Sequence, residues 1–242
     1  MNQTQLSRFD GLVNGYSLFT GAIVSYPRLQ EQVRLEVERG TARWPWQRTL
    51  KCLEIGPGPG ATTKSILEAD KGIHIVAVEP DADMVAKLQD NLTEWQCADR
   101  VEIVPTDILA YFATVPDNTF HFVATAFALH NIESGKRDAI IREIYRVLVP
   151  GGKFVNGDKY ARDNAEEHAL AYQRQMTDFV VFEAEHHTGD LKKWEEHYER
   201  DEQSDLLFKE TPAKEFMREI GFTKVLTVYR ENLEAVIVGQ KQ

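Results

Sequence analysis

Glu54-Ile55-Gly56-Pro57-Gly58-Pro59-Gly60 follows an apolar run at 50–55 and precedes a helical stretch that starts at Ala61. Three glycines on alternate positions after a strand make a turn bare of side chains, so a ligand can rest against its amides at a helix N-terminus. The strand–turn–helix unit repeats downstream. Segments 73–79, 101–104, 120–127 and 153–155 read as strands. Helical patterns fill 61–69, 81–91 and 134–148, with Asp81 as an N-cap and Pro150-Gly151-Gly152 as a stop. Strands alternating with helices predict a parallel sheet covered on both faces.

The ends of the chain read differently. Residues 1–49 form an N-terminal helical cap segment, and 50–160 the Rossmann-like core. Residues 161–210 are highly charged and helical in pattern, an insertion or lid. Residues 211–242 supply a helix and two apolar runs, 223–229 and 235–238, too close together for a right-handed crossover; they should pair antiparallel. The expected fold class is therefore α/β: a doubly wound, mostly parallel seven-stranded sheet with an antiparallel C-terminal strand, N-terminal helices and a helical insertion.

The glycine pattern leaves its ligand open. Gly56-x-Gly58-x-x-Ala61 also satisfies the dinucleotide fingerprint, and a plain strand-to-helix turn is a further reading. A helix N-terminus favours an anionic pyrophosphate. The carboxylate of Glu54, two residues before the first glycine, works against one. It suits a ligand with an amino group and a sulfonium, both of which S-adenosylmethionine carries without a phosphate.

Composition narrows the function classes. A chain of 242 residues suits one α/β domain with a modest insertion, and 43% hydrophobic with 27% charged residues is ordinary for a globular protein. No apolar run approaches the ~20 residues a membrane helix needs. With a polar start and only Cys52 and Cys97, the expectation is a cytoplasmic protein with no membrane partner. The net charge of −10 argues against direct nucleic-acid binding. Arg28, Arg34, Arg39, Arg43 and Arg48 are interleaved with Glu31, Glu36 and Glu38 and read as a solvated helix face. Trp44-Pro45-Trp46 offers a surface for a homodimer.

Beyond the turn, Val78-Glu79-Pro80, Thr106-Asp107-Ile108, Ala128-Leu129-His130 and Leu148-Val149-Pro150-Gly151-Gly152 fall at successive strand ends. With Glu54–Gly60 these elements, in this order over about residues 50–160, resemble the class I S-adenosylmethionine-dependent methyltransferases. The resemblance implies that Gly56, Gly58 and Gly60 let the backbone approach the methionine part of the cofactor, and that Glu54 holds its amino group. It implies that Glu79 accepts both ribose hydroxyls and Asp107 the adenine amino hydrogens, with Ile108 beside the ring. His121 departs from the family, many members of which carry an acid there. As ordinary residues, Glu79 is a strand end and Asp107 a turn residue or helix cap.

More loosely the chain looks like the branch that contains the carboxy-S-adenosylmethionine synthases. Phe9-Asp10 leading to Tyr16, Asp158-Lys159-Tyr160 and the closing Gly221-Phe222 and Ala235-Val236 carry that likeness. The synthases hold the extra carboxylate with an arginine; here the best-matching place shows Lys192-Lys193, point charges without a bidentate fork. A methyltransferase acting on a small molecule is thus favoured, with a synthase serving tRNA wobble uridine modification as the alternative. A nucleoside-binding protein without turnover is a third reading.

Methyl transfer from a sulfonium needs chiefly alignment of acceptor, methyl carbon and sulfur. A hydroxyl or thiol acceptor also needs a base. His130, after the fourth strand, is the first candidate, with a structural histidine as the other reading; Tyr160 is the second. Asp158, Tyr16 and His197 are candidates for contact with the acceptor. His186-His187 are adjacent and cannot readily share a metal on a helix face, so no metal site is expected.

Overall fold

The computed structural model describes residues 16–242; Phe9 and Asp10 lie outside them. Helices α1 (Tyr16–Gly21) and α2 (Tyr26–Thr41) lead into β1 (Leu50–Ile55), α3 (Ala61–Ala69), β2 (Ile73–Val78), α4 (Ala82–Glu94) and β3 (Val101–Val104). Next come α5 (Ile108–Phe112), β4 (Phe120–Ala126), α6 (Ser134–Val147) and β5 (Leu148–Lys159). Then follow α7 (Ala165–His186), α8 (Leu191–Asp201), α9 (Glu210–Glu219), β6 (Thr223–Glu231) and β7 (Glu234–Gln240).

The strands form one seven-stranded sheet in the order β3-β2-β1-β4-β5-β7-β6, with β7 antiparallel to both its neighbours. Strand order reverses between β1 and β4, and a crevice at such a reversal is where open α/β sheets take ligands. In β1 only Lys51 is exposed, as expected of a strand covered on both faces. Leu53, Phe120, Ile144 and Phe154 pack in the core on the side of α6 and α9; Cys52, Ile66, Phe122 and Val155 pack on the side of α2 and α3. Phe120 and Phe122 would share a face in a regular strand. The β4–β5 register shifts between them and sends them to opposite cores.

A third apolar cluster joins α1 to the insertion, through Phe19, Ile23, Phe179, Trp194 and Tyr198. Trp194 and Phe179 are 1% and 0% exposed; burying side chains of that kind stabilises by about 2–3 kcal/mol each. The insertion is therefore packed onto the core and is not a loose appendage.

Two expectations need correction. The strand expected from Lys153 begins at Leu148, which pairs with Phe120. Pro150-Gly151-Gly152 is part of it, with Gly151 at φ +83°; Gly151 N–H donates to Lys241 O and Lys241 N–H to Gly152 O, both at 2.9 Å. The Trp44-Pro45-Trp46 cluster is exposed only in part: Trp44 packs edge-on against Phe122, while Trp46 is 93% exposed. Among the described residues no helix is long and apolar enough to cross a membrane.

Candidate active site

The glycine turn lies at the end of β1 with Gly56, Gly58 and Gly60 at φ +64°, +53° and +102°. An L side chain costs roughly 1–2 kcal/mol in that left-handed region. Space separates the three. A Cβ on Gly56 would meet Ala128 at 2.8 Å and one on Gly60 would meet Leu88 at 2.6 Å, while one on Gly58 meets nothing within 4 Å among the described residues. Gly56 and Gly60 are thus packing glycines, and Gly58 turns its bare face to open space.

Acidic side chains flank this turn. Glu54 is fully buried; Thr63 Oγ1 donates to its Oε2 at 2.7 Å, and its Oε1 is buried with no hydrogen-bond partner among the described residues. Burial, with a smaller push from the Glu79 charge, drives its carboxyl up to about 8 against the pull of the Thr63 bond. An unpartnered buried carboxylate oxygen beside bare backbone is what a ligand ammonium would satisfy. Glu79 Oε2 accepts Gly58 N–H at 3.1 Å and its Oε1 accepts Asp81 N–H at 3.0 Å. Burial raises the Glu79 carboxyl, and these two amide bonds draw it back. Asp107 is exposed and caps α5, its Oδ1 accepting from Leu109 N at 2.9 Å and Ala110 N at 3.3 Å. Ile108 is 7% exposed and belongs to the core beneath.

Across the crevice, the chain leaving β4 makes a short 3-10 turn at Leu129–Asn131. Asp158 holds it from β5. Its Oδ2 accepts Leu129 N–H at 3.1 Å and His130 N–H at 3.2 Å. Its Oδ1 accepts Lys159 N–H at 3.0 Å and lies 2.5 Å from His130 Nδ1. An ionised carboxylate only accepts, so Nδ1 carries the proton and Nε2 presents its lone pair away from Asp158. The wall continues through Phe19, Phe127, Lys159, His197 and Tyr198, which share one pocket with His130. Phe127 holds φ +51°, a conformation L residues avoid, and stacks on Tyr26 at 5.3 Å.

Some sequence candidates change role. Asp158 has no exposed surface and sits behind His130, so it positions the imidazole and does not contact an acceptor. Tyr160 is 1% exposed, its ring 4.4 Å from Phe208 and its hydroxyl accepting from Asn156 Nδ2 at 2.6 Å. Burial pushes its phenol far above the ordinary tyrosine range, so it is a core residue and not a base. Tyr16 opens α1, but its side chain lies outside the described part of the chain. Lys192 and Lys193 are exposed and pair with Glu196 and Asp190 within their own helical segment. His186 stacks on Phe182 at the exposed end of α7.

His197, by contrast, does meet His130, their rings perpendicular at 6.3 Å. Sequence reasoning missed Lys159 and Asp201. Lys159 Nζ is 3.5 Å from both Asp201 Oδ2 and Glu202 Oε1, nearly buried. His130, His197 and Asp201 also form a cluster able to hold a metal ion, where none was expected. The His197–Asp201 spacing of one helical turn was the available signal; the partnership with His130 was not readable locally.

Residues 52–152 match the methyltransferase domain family. The chain is 31% identical over 111 residues to an uncharacterised methyltransferase of Geobacillus kaustophilus, covering 46% of this chain and 47% of that protein. It is 32% identical over 114 residues to a carboxy-S-adenosyl-L-methionine synthase of Shewanella oneidensis, covering 46% and 45%. The chain thus spans about half the length of these curated relatives. In three dimensions it is similar to the CurJ carbon methyltransferase, with a TM-score of 0.64 at 20% identity over 89% of this chain and 54% of that one.

Proposed function

We propose that this chain, a methyltransferase domain over residues 52–152 with a helical cover, transfers a methyl group from S-adenosylmethionine to a small-molecule acceptor. The observation that carries the proposal is Glu54 Oε1, fully buried and unpartnered among the described residues at the mouth of a glycine turn. A pyrophosphate there would keep that carboxyl neutral; an ammonium would draw off its proton and take the carboxylate as counter-ion.

S-adenosylmethionine, when bound, supplies the methyl group on a sulfonium. Glu54 holds the amino group and Glu79 the ribose hydroxyls, each carboxylate oxygen able to take a hydroxyl proton. Gly58 leaves room for the ligand against the backbone. Asp107 remains the candidate for the adenine amino group, with Ile108 beneath it. His130 Nε2 takes the acceptor proton, and the Asp158 carboxylate stabilises the imidazolium that results. Phe19, Phe127 and Tyr198 exclude water from that proton transfer.

A small acceptor is supported by the aromatic side chains that line the pocket beside His130 and by the formal charge of −10. The synthase-like alternative has less support, because Lys192 and Lys193 face solvent. The test is to incubate the full chain with methyl-labelled S-adenosylmethionine and a metabolite extract, and to identify the bound nucleoside by mass. Label in a small metabolite supports the reading. A carboxylated nucleoside retained by the protein supports the alternative, and no transfer despite tight binding supports a binding protein.

A further inference from the structure

The acceptor side of the crevice carries more ligating groups than methyl transfer requires. His197 and Asp201 stand one turn apart on α8, and His130 faces them from the turn after β4. Asp201 Oδ2 is 3.7 Å from His197 Nε2 and 3.8 Å from His130 Nε2, and one ligand atom from each of the three lies within 4.8 Å of the others. All three side chains are nearly buried, at 7%, 9% and 3% exposure for His130, His197 and Asp201.

We propose that His130, His197 and Asp201 bind one divalent transition-metal ion of the zinc, cobalt or nickel type. Two imidazoles and one carboxylate favour such ions over magnesium or calcium, which prefer all-oxygen sets. Behind His130 stands the partner that ligating histidines characteristically have. Asp158 Oδ1 accepts a hydrogen bond from Nδ1–H at 2.5 Å and favours the tautomer whose Nε2 lone pair points to the cluster. Ligands at about 2.0–2.1 Å around a tetrahedral ion stand roughly 3.4 Å apart, so the two Asp201 separations close by a few tenths of an ångström and the one between the imidazoles, within 4.8 Å, by up to about 1.4 Å. The opposing charge is Lys159, 3.5 Å from Asp201 Oδ2. Glu202 Oε1 lies equally near its ammonium and receives it when the ion takes Asp201.

The ion would join α8 to the sheet core. It would also occupy the His130 lone pair. If His130 is the base, which rests on the function proposed above, a loaded protein stops transferring methyl groups to hydroxyl acceptors.

The experiment titrates the metal-free full chain with cobalt(II), followed by visible absorption and by thermal unfolding, with no nucleoside present. Expected are saturation at one equivalent, the visible bands of a low-coordinate site and a raised unfolding temperature. His197→Ala should weaken binding at least tenfold, and Asp201→Asn likewise if the first variant does not fold. His187→Ala, at the exposed end of α7, should not change it. Binding without saturation, or equally tight binding in His197→Ala, would overturn the site. Because S-adenosylmethionine is absent, that failure is separate from failure of the proposed activity: a chain that binds the nucleoside but not cobalt loses only this inference.

Discussion

The Gly58 amide donates to Glu79 Oε2 at 3.1 Å, joining the turn after β1 to the end of β2 across 21 positions of sequence. The acid that would receive the ribose is thus already held over the backbone that would receive the methionine. Glu79 is nearly buried and already hydrogen-bonded before a ligand arrives, so little ordering is left for binding to do.

Glu79→Ala should therefore weaken S-adenosylhomocysteine binding by about 10–100-fold, because it leaves two hydroxyls without a charged acceptor. Glu79→Gln should lose less. Fluorescence or calorimetric titration reads both. Equal affinity for wild type and Glu79→Ala would remove Glu79 from the site.

Glu54 gives a pH dependence of definite sign. Its carboxyl is raised from 4.5 to about 8, so between these values the ligand-free protein binds one more proton than the unfolded chain. Its contribution to stability is full below about pH 4.5 and is lost as pH rises through 8, at up to ~1.4 kcal/mol per unit. Glu54→Gln should flatten that part of the stability–pH curve in denaturant titrations. An ammonium ligand favours the ionised form, so binding at pH 7 should release a proton to the buffer. Calorimetry in buffers of different ionisation enthalpy detects the release, and Glu54→Gln should abolish it.

Asp158→Asn replaces an acceptor-only side chain with one that can donate to Nδ1. The imidazole then loses its fixed tautomer and its counter-charge. Methyl transfer to a hydroxyl acceptor should fall by about 10²–10⁴-fold with little change in nucleoside affinity. Stability should fall by about 1–3 kcal/mol, since four donors depend on this carboxylate. Turnover and binding measured on the same sample separate the two effects.

Tyr160→Phe makes the contrary prediction. The hydroxyl touches only Asn156 among the hydrogen bonds of the described residues, deep in the core. Turnover should be unchanged, while stability falls by about 1 kcal/mol in urea unfolding.

Much of this arrangement was legible in the sequence. The seven strands and the glycine turn follow from the alternation of apolar runs with helical periods, which is local information. What the sequence hid is the direction in which side chains leave the strand ends. Asp158 and Tyr160 close the same strand, yet one lies behind His130 and the other under Phe208. The β4 register shift and the left-handed Phe127 have no local signature either. Lys159 and Asp201 meet only because α8 packs across the crevice, a tertiary fact. Asp107 shows the opposite limit: its spacing fits a helix cap, which it is, and the adenine role rests on resemblance.

The central claim is that the crevice takes a cationic nucleoside and not a pyrophosphate. Calorimetric titration of the full chain with S-adenosylmethionine and, separately, with NAD tests it most directly. One saturable site is expected for S-adenosylmethionine, weakened in Glu54→Gln, and no measurable heat with NAD. Saturable NAD binding with none for S-adenosylmethionine would contradict it.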